Sequence, residues 1–512
     1  MPAEQPHNWD DQLGPKGAPI PLAFTRQDFV TYRRRLRRNV DALAQILDQF
    51  PLDEDRPMTG MELELCLVGA DLLPAMRNEE VLGALQRAGL GRVFQEEMGQ
   101  FNIEANIPPR LVSGAGLAEY ETYLRATLNA ARDVAAGLGV ELAMIGTLPT
   151  MTQDHTVIRY VSSNPRYVAL NAQFIAARND DITIDIQGRG EQLNLRTDSI
   201  MGQAANTSWQ LHLQLTPAAF PTHWNASQAI AGAQLAVGAN SPFLYARRLW
   251  DETRIINFEQ AVDTRPEELR VQGVRPRVWF GERWITSVFD LFEENIRFFP
   301  PLLPIEYPEN PEDAIAAGRV PYLGELRLHN GTVWRWNRPV YDVSPDGRPH
   351  LRVENRVLPA GPTVVDMLAN TAFYFGLTRA LATTNRPVWS DLPFGAARHN
   401  FYEASKYGLA ATQVWPRLGE VPATDLVLEK LLPAAAEGLA AYRVDAATAG
   451  RLLEIIERRC TTGVNGAVWQ TRTVQTLERD HHLDRLSALR EMLRRYGAHL
   501  HDNEPVHTWP LP

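Results

Sequence analysis

Two glutamates one residue apart, Glu62 and Glu64, are the first residues of this chain whose spacing could do chemistry. They stand in the alternating run Met61-Glu62-Leu63-Glu64-Leu65, and a β-strand sends side chains i and i+2 to one face. Both carboxylates therefore project together, with Met61, Leu63, Leu65 and Leu67 on the other side. An isolated pair of this kind ordinarily lies on a surface strand, but Cys66 and Val68 continue the acidic side, so it is not simply a charged exterior. The geometry recurs. Gln210, His212 and Gln214 alternate with Trp209, Leu211, Leu213 and Leu215; Arg352, Glu354 and Arg356 form a third row; Glu97 and Glu104 flank the start of another strand. If these strands are neighbours in one curved sheet, its concave face carries several carboxylates, an imidazole and arginines. Mg²⁺ is commonly held by carboxylates together with substrate phosphates, and arginine forks suit phosphate and carboxylate groups. Together the rows describe a metal–nucleotide site.

The basic residues say which kind of nucleotide site this is not. The chain has 512 residues, with 51 basic and 61 acidic side chains and a formal net charge of −10. Only Lys16, Lys406 and Lys430 are lysines, and none follows the G-x-x-x-x-G pattern of a phosphate-binding P-loop. That excludes a P-loop enzyme and argues against Schiff-base chemistry. The acidic balance argues against a broad nucleic-acid surface. Cys66 and Cys460 give neither zinc spacing nor a disulfide framework. No secretory leader is visible at Met1–Gln5, and no apolar run reaches the roughly 18 residues of a membrane span. The expectation is a cytoplasmic protein with no membrane or nucleic-acid partner; homo-oligomerisation stays open.

The elements that must position these residues follow from hydrophobic period. Residues 1–24 are rich in Pro and Gly and read as an irregular N-terminal arm. Thr25 caps an amphipathic helix to about Phe50, with Arg33, Arg34, Arg35, Arg37 and Arg38 as its solvated face. Strands are expected from Thr59, at 100–107, 141–146, 209–215 and 350–358, separated by helices near 78–89, 115–137, 226–239 and 364–384. This mixture indicates α+β more than a doubly wound sheet. Beyond about residue 400 the strand signals stop, and 423–441, 446–459 and 483–497 carry helical periodicity. The expected organisation is an arm at 1–24, a catalytic domain at 25–400 and a helical C-terminal region at 401–512.

Four motifs occur in a telling order: Gly60-Met61-Glu62-Leu63-Glu64, Gln100-Phe101-Asn102-Ile103-Glu104, Gln210-Leu211-His212 and Glu354-Asn355-Arg356. With Ala239-Asn240-Ser241-Pro242-Phe243, Trp336-Asn337-Arg338-Pro339 and Asn400-Phe401-Tyr402-Glu403-Ala404, they resemble the glutamate–cysteine ligase family of the glutamine-synthetase-like superfamily, nearest to its second bacterial group of carboxylate–amine ligases. The resemblance covers about residues 55–415. It implies a curved, mainly antiparallel sheet with helices packed outside. It also implies that ATP, with Mg²⁺ or Mn²⁺, phosphorylates the γ-carboxylate of glutamate or a similar amino acid before an amine such as cysteine attacks.

Residue by residue, the resemblance gives Glu62, Glu64, Glu97, Glu104, His212 and Glu354 as metal ligands. Arg356 falls on the arginine that contacts the transferred phosphate, with Glu64 beside it in the catalytic set. Arg338 is expected to bind nucleotide or substrate, and Arg254, Arg166 and Tyr167 the substrate. His155, His329, His350, His481 and His482 read as surface or structural. Two segments depart from the family pattern: Gly146-Thr147-Leu148-Pro149, and Leu244 to Trp250. Both lie where substrate contacts are expected, so they leave the amine, and even the acid, open. The alternatives are a ligase of this fold with a different amine, a non-catalytic metal- or nucleotide-binding homologue, and a kinase or hydrolase on the same fold.

Overall fold

Strands that alternate apolar and polar residues assemble into one seven-stranded sheet in the computed structural model, which describes residues 20–50, 52 and 58–511. Residues 1–19, most of the expected arm, lie outside the described residues, as does Lys16. The strands are β1 (Met58–Gly69), β2 (Phe94–Glu96), β3 (Asn102–Leu111), β4 (Val140–Ala143), β5 (Ser208–Leu215), β6 (Asn337–Val343) and β7 (Pro349–Pro359). Their order is β6-β7-β5-β1-β3-β2, with β4 also paired to β1, and every pairing is antiparallel. The expected α+β class and mainly antiparallel sheet are what the chain adopts.

β1 is the hub. One edge pairs with β3 along its length, while the other pairs first with β5, at Thr59–Leu63, and then with β4, at Cys66–Gly69. β6 carries Pro339, which has no N–H to give to a ladder, and it accordingly lies at the end of the sheet.

Two helices cover the apolar face: α2 (Phe220–Gly238) and α3 (Val364–Ala382). Neither is amphipathic. Ala, Ile, Leu, Val and Phe surround both, and nearly every residue of each is buried, as expected of helices covered on all sides. The outer cover comes from later in the chain: α4 (Phe394–Tyr407) packs on α2, while α5 (Leu432–Ala441) and α6 (Ala446–Thr462) pack on α3. Gly438 and Gly376 allow α5 and α3 to touch backbone to backbone; a Cβ on Gly438 would lie 1.8 Å from the Gly376 carbonyl oxygen. Arg459 of α6 is 1% exposed and pairs with Asp366 of α3 at 2.7 Å. The helical C-terminal region is therefore the outer wall of the central helix layer.

Several expectations need correction. A boundary at residue 400 falls inside α4. Strands do not stop there, because 412–415 and 419–422 form a hairpin. The helices α7 (Gly466–Asp480) and α8 (Arg485–Asp502) complete the C-terminal region. The N-terminal helix α1 (Arg26–Gln49) is capped by Thr25, with a capping box to Asp28 as expected. Its arginine run is only partly solvated: Arg35 pairs with Glu325 and Arg38 with Glu312 at 2.9 Å, which docks the helix on the 306–325 segment.

Candidate active site

Residues paired across an antiparallel ladder share a face, so the register alone gathers the polar rows. Glu64 of β1 is opposite Glu104 of β3, which is opposite Gln95 of β2. Glu62 is opposite Gln210 of β5; His212 is opposite Glu354 of β7, which is opposite Arg338 of β6. All three rows expected from alternation therefore lie on one surface, away from α2 and α3.

Three carboxylates converge at one end of it. Glu64, Glu97 and Glu104 offer oxygen atoms that all lie within 4.8 Å of one another, the one such group among the described residues. Glu97 sits in the turn after β2, its carboxylate accepting the Met98 N–H at 2.9 Å, while Ser162 Oγ donates to its carbonyl. Glu64 accepts from the Ser208 N–H at 2.7 Å and from Gln210 Nε2 at 3.0 Å, and Glu104 from Gln95 Nε2 at 2.8 Å. Burial, then the neighbouring Glu97, pushes the Glu64 carboxyl up to about 8 against Arg356 and the Ser208 N–H. Burial and the charges of Glu62, Glu97 and Glu64 raise Glu104 well above the carboxylate range, and burial raises Glu97. Three carboxyl groups brought this close, Glu104 buried and Glu97 partly so, suit a hard divalent ion.

The remaining expected ligands do not join this group. Glu354 is fully buried and receives Arg338 Nε on Oε2 at 2.7 Å and Arg356 Nη1 on Oε1. Burial alone would raise its carboxyl, but the two guanidinium groups outweigh it and hold it below the usual range. His212 Nδ1 accepts from Arg352 Nε at 3.1 Å, which leaves the imidazole proton on Nε2, 2.9 Å from Glu62 Oε1. Glu62, His212 and Glu354 thus form a strip of polar groups in close approach between the acid trio and the arginines, not a second convergent ligand set. Arg352 is anchored in turn by Asp342 at 3.1 Å, which also pairs with Arg327 at 2.8 Å.

The arginines divide by what they engage. Arg356 lies within the irregularity between Asn355 and Leu358, donates its backbone N–H to the Trp336 carbonyl at 2.8 Å, and turns Nη1 to Gln210 and Glu354. Arg338 lies across the same carboxylate. Arg254 is 1% exposed and fully engaged: Nε donates to Glu252 at 2.9 Å, Nη2 to the Val357 carbonyl, and Nη1 lies 3.4 Å from both Ser208 Oγ and the Arg356 carbonyl. It props the two backbone stretches that bear on Glu64 and Arg356. Tyr167 donates to the Glu96 carbonyl at 3.3 Å, and its phenol is raised by burial and then by Glu97. Arg166 stands over the Tyr167 ring at 5.6 Å and acts on Glu97.

Sequence reasoning passed over Gln210, Gln95, Ser208 and Asp342 as individual partners. Alternation displayed Gln210, but its bridging of Glu64 and Arg356 is a fact of register. Conversely, several motif residues face away from the site. Asn355 and Asn337 bond each other at 2.7 Å and reach Gln234 and Gln228 of α2, tying sheet to helix. Asn240 binds the Ala360 carbonyl at 2.8 Å and the Tyr496 hydroxyl at 2.9 Å. In the departing segments, Thr147 Oγ1 donates to the Phe243 carbonyl at 2.7 Å, and Tyr245 and Ala246 turn at φ 48° and 61°. His329 is buried against the Asn295 carbonyl, in keeping with a structural role.

The model of "Glutamate-cysteine ligase family 2" matches residues 58–488. No curated protein sequence matches the chain. Among solved structures, a glutamate–cysteine ligase from Francisella tularensis in complex with AMP superposes with a TM-score of 0.53 at 12% identity, covering 90% of this chain and 91% of that one. A bifunctional glutathione synthetase from Pasteurella multocida gives 0.48 at 10% identity, over 91% of this chain and 55% of that one. The first of these shows the fold; the residues on the polar face are this chain's own. A carboxylate trio beside two arginines that share one acid is an arrangement for gathering phosphates and a cation in one place.

Proposed function

The chain belongs to glutamate–cysteine ligase family 2, and from that membership we propose that it joins the γ-carboxylate of glutamate to the amino group of cysteine at the expense of ATP. The observation that carries this reading is the convergence of Glu64, Glu97 and Glu104 beside Arg338, Glu354 and Arg356 on one sheet face. Mg²⁺, with Mn²⁺ as the alternative, would be held by Glu64, Glu97 and Glu104 and would supply charge neutralisation for the nucleotide phosphates. Phosphoryl transfer asks a protein chiefly for positioning and for compensation of charge.

Arg338 and Arg356 bind the phosphates, and Arg356 faces the one being transferred. Glu354 holds both forks side by side, one on each of its two oxygens. Gln210 couples Arg356 to Glu64, so the phosphate contact and the acid trio move as one unit. Arg166 and Tyr167, beside Glu97, take the amino-acid substrate, and Arg254 holds the backbone beneath. Glu62 and His212, steadied by Arg352, keep the strip between the two halves rigid, which matters because a misplacement of about 1 Å can cost on the order of 100-fold in rate.

The test is direct. The purified chain is incubated with ATP, Mg²⁺, glutamate and a panel of amines that includes cysteine, and ADP release is followed. Cysteine-dependent ADP is the expected result. ADP release that no amine stimulates would overturn the proposal.

A further inference from the structure

Two segments singled out in the sequence, Trp336-Asn337-Arg338-Pro339 and Asn400-Phe401-Tyr402-Glu403, converge on a residue outside both, Glu259. Its Oε1 accepts from the Tyr402 hydroxyl at 2.6 Å and from the Trp336 indole N–H at 3.5 Å. The walls are aromatic: Trp336 lies 5.5 Å from Phe401 and 5.9 Å from Phe258 between ring centroids, and Tyr402 lies 5.4 Å from Phe401. Among the described residues no arginine or lysine forms an ion pair with this half-buried carboxylate; Arg265 and Asp263 act on it from a distance, and Arg398 faces Tyr402. Burial carries the carboxyl up to about 7, against the hydrogen bonds from Tyr402 and Trp336.

The place is next to the polar face. Glu259 is on the helix Thr253–Ala261 that also carries Arg254, and the Arg254 guanidinium lies 5.7 Å from the Trp336 ring. Through Arg254 and Ser208 this corner is two side chains from Glu64. A carboxylate among aromatic faces, without a cation of its own, is a receptor for an ammonium group.

We propose that Glu259 binds the ammonium of the attacking amino acid and removes its proton, with Tyr402 and Trp336 as positioning residues. The inference rests on the ligase reading above. Glu259 takes one proton from R–NH₃⁺, which leaves the lone pair on nitrogen. That nitrogen attacks the acyl carbon, a C–N bond forms, and the bond from carbon to the phosphate oxygen breaks. Inorganic phosphate departs, and the second proton lost from nitrogen leaves with it.

The experiment compares two nucleophiles with ATP, Mg²⁺ and L-glutamate: L-cysteine, charged at neutral pH, and hydroxylamine, which is uncharged there and needs no base. Glu259→Gln keeps one acceptor oxygen, which can take the place of Oε1 for both Tyr402 and Trp336, so the fold is expected to survive. Amide formation with cysteine falls by about 100-fold or more in this variant, while hydroxamate formation stays within a few-fold of wild type. Tyr402→Phe is the second variant. It removes the donor that holds the carboxyl down, so the acid limb of the cysteine rate profile shifts to higher pH while hydroxamate formation is unmoved. Equal loss of both products in Glu259→Gln, or retention of both with an unchanged Tyr402→Phe profile, overturns the assignment. A wild-type chain that makes hydroxamate but no amide with any amino acid also overturns it, whereas one that makes neither refutes the ligase reading itself.

Discussion

Replacing Glu104 by glutamine should abolish ligation and yet make the metal-free protein more stable. In the folded chain Glu64 keeps its proton to about pH 8, whereas an unfolded glutamate releases it near 4.5. At about 1.4 kcal/mol per unit, that difference is worth up to about 5 kcal/mol. The sign follows from linkage. Between these values the folded state binds more protons than the unfolded one, so metal-free stability falls as pH rises from 4.5 towards 8. Glu104, raised well above the carboxylate range by burial and then by Glu62, Glu97 and Glu64, carries a penalty of the same sign, and glutamine, which has no proton to lose, removes it; the part due to neighbouring charge is roughly 1–3 kcal/mol. The assay is denaturant unfolding at pH 8 followed by tryptophan fluorescence, in EDTA and then in excess MnCl₂. In EDTA, Glu104→Gln should unfold at higher denaturant than wild type. Manganese should raise the wild-type midpoint strongly, by about 2.7 kcal/mol at a hundred times its dissociation constant, and the variant's far less. A variant that is less stable in EDTA, or equal stabilisation of both proteins by Mn²⁺, would refute the reasoning.

Three further outcomes test other parts of the structure. Arg356→Lys should lower kcat by about 100-fold or more with an unchanged unfolding midpoint, because lysine cannot span Gln210, Glu354 and a phosphate with one fork; near-normal kcat would remove Arg356 from the transfer step. Arg459→Met leaves Asp366 buried without its cation and should cost about 3–5 kcal/mol in chemical unfolding, and a cost below about 1 kcal/mol would show that the C-terminal helices are not anchored there. Gly438→Ala forces α5 off α3 and should destabilise by about 1–3 kcal/mol; an unchanged melting temperature would mean that the crossing is free to slide.

Alternation with period two was enough to place Glu62, Glu64, His212, Glu354 and Arg356 on strands and to orient their side chains, since a strand permits only two faces. It could not say which strand lies beside which, and the pairing of Glu64 with Glu104 and of His212 with Glu354 is decided by that order. β6 escaped notice because Pro339 interrupts the pattern, so Asp342, the anchor of Arg352, went with it. Arg254 illustrates a different limit. Its type and position suggested a fork for substrate, but Glu252, two residues earlier, consumes one edge of it and the Val357 carbonyl another. Asn337, Asn355 and Asn240 show that a residue within a recognisable motif can owe its place to buried hydrogen bonding behind the site rather than to contact with a ligand.

The outer wall supplied by α4, α5 and α6 has a consequence for synthesis. The chain emerges from the ribosome N-terminus first, and α2 and α3 are mostly apolar and buried nearly all round in the folded protein. Until residues 394–462 have followed, both helices lack most of the cover on the flank away from the sheet. The nascent protein therefore carries two greasy rods through much of its translation, which makes it a natural client for holding chaperones. Premature termination anywhere before α6 should yield not a smaller enzyme but an aggregate.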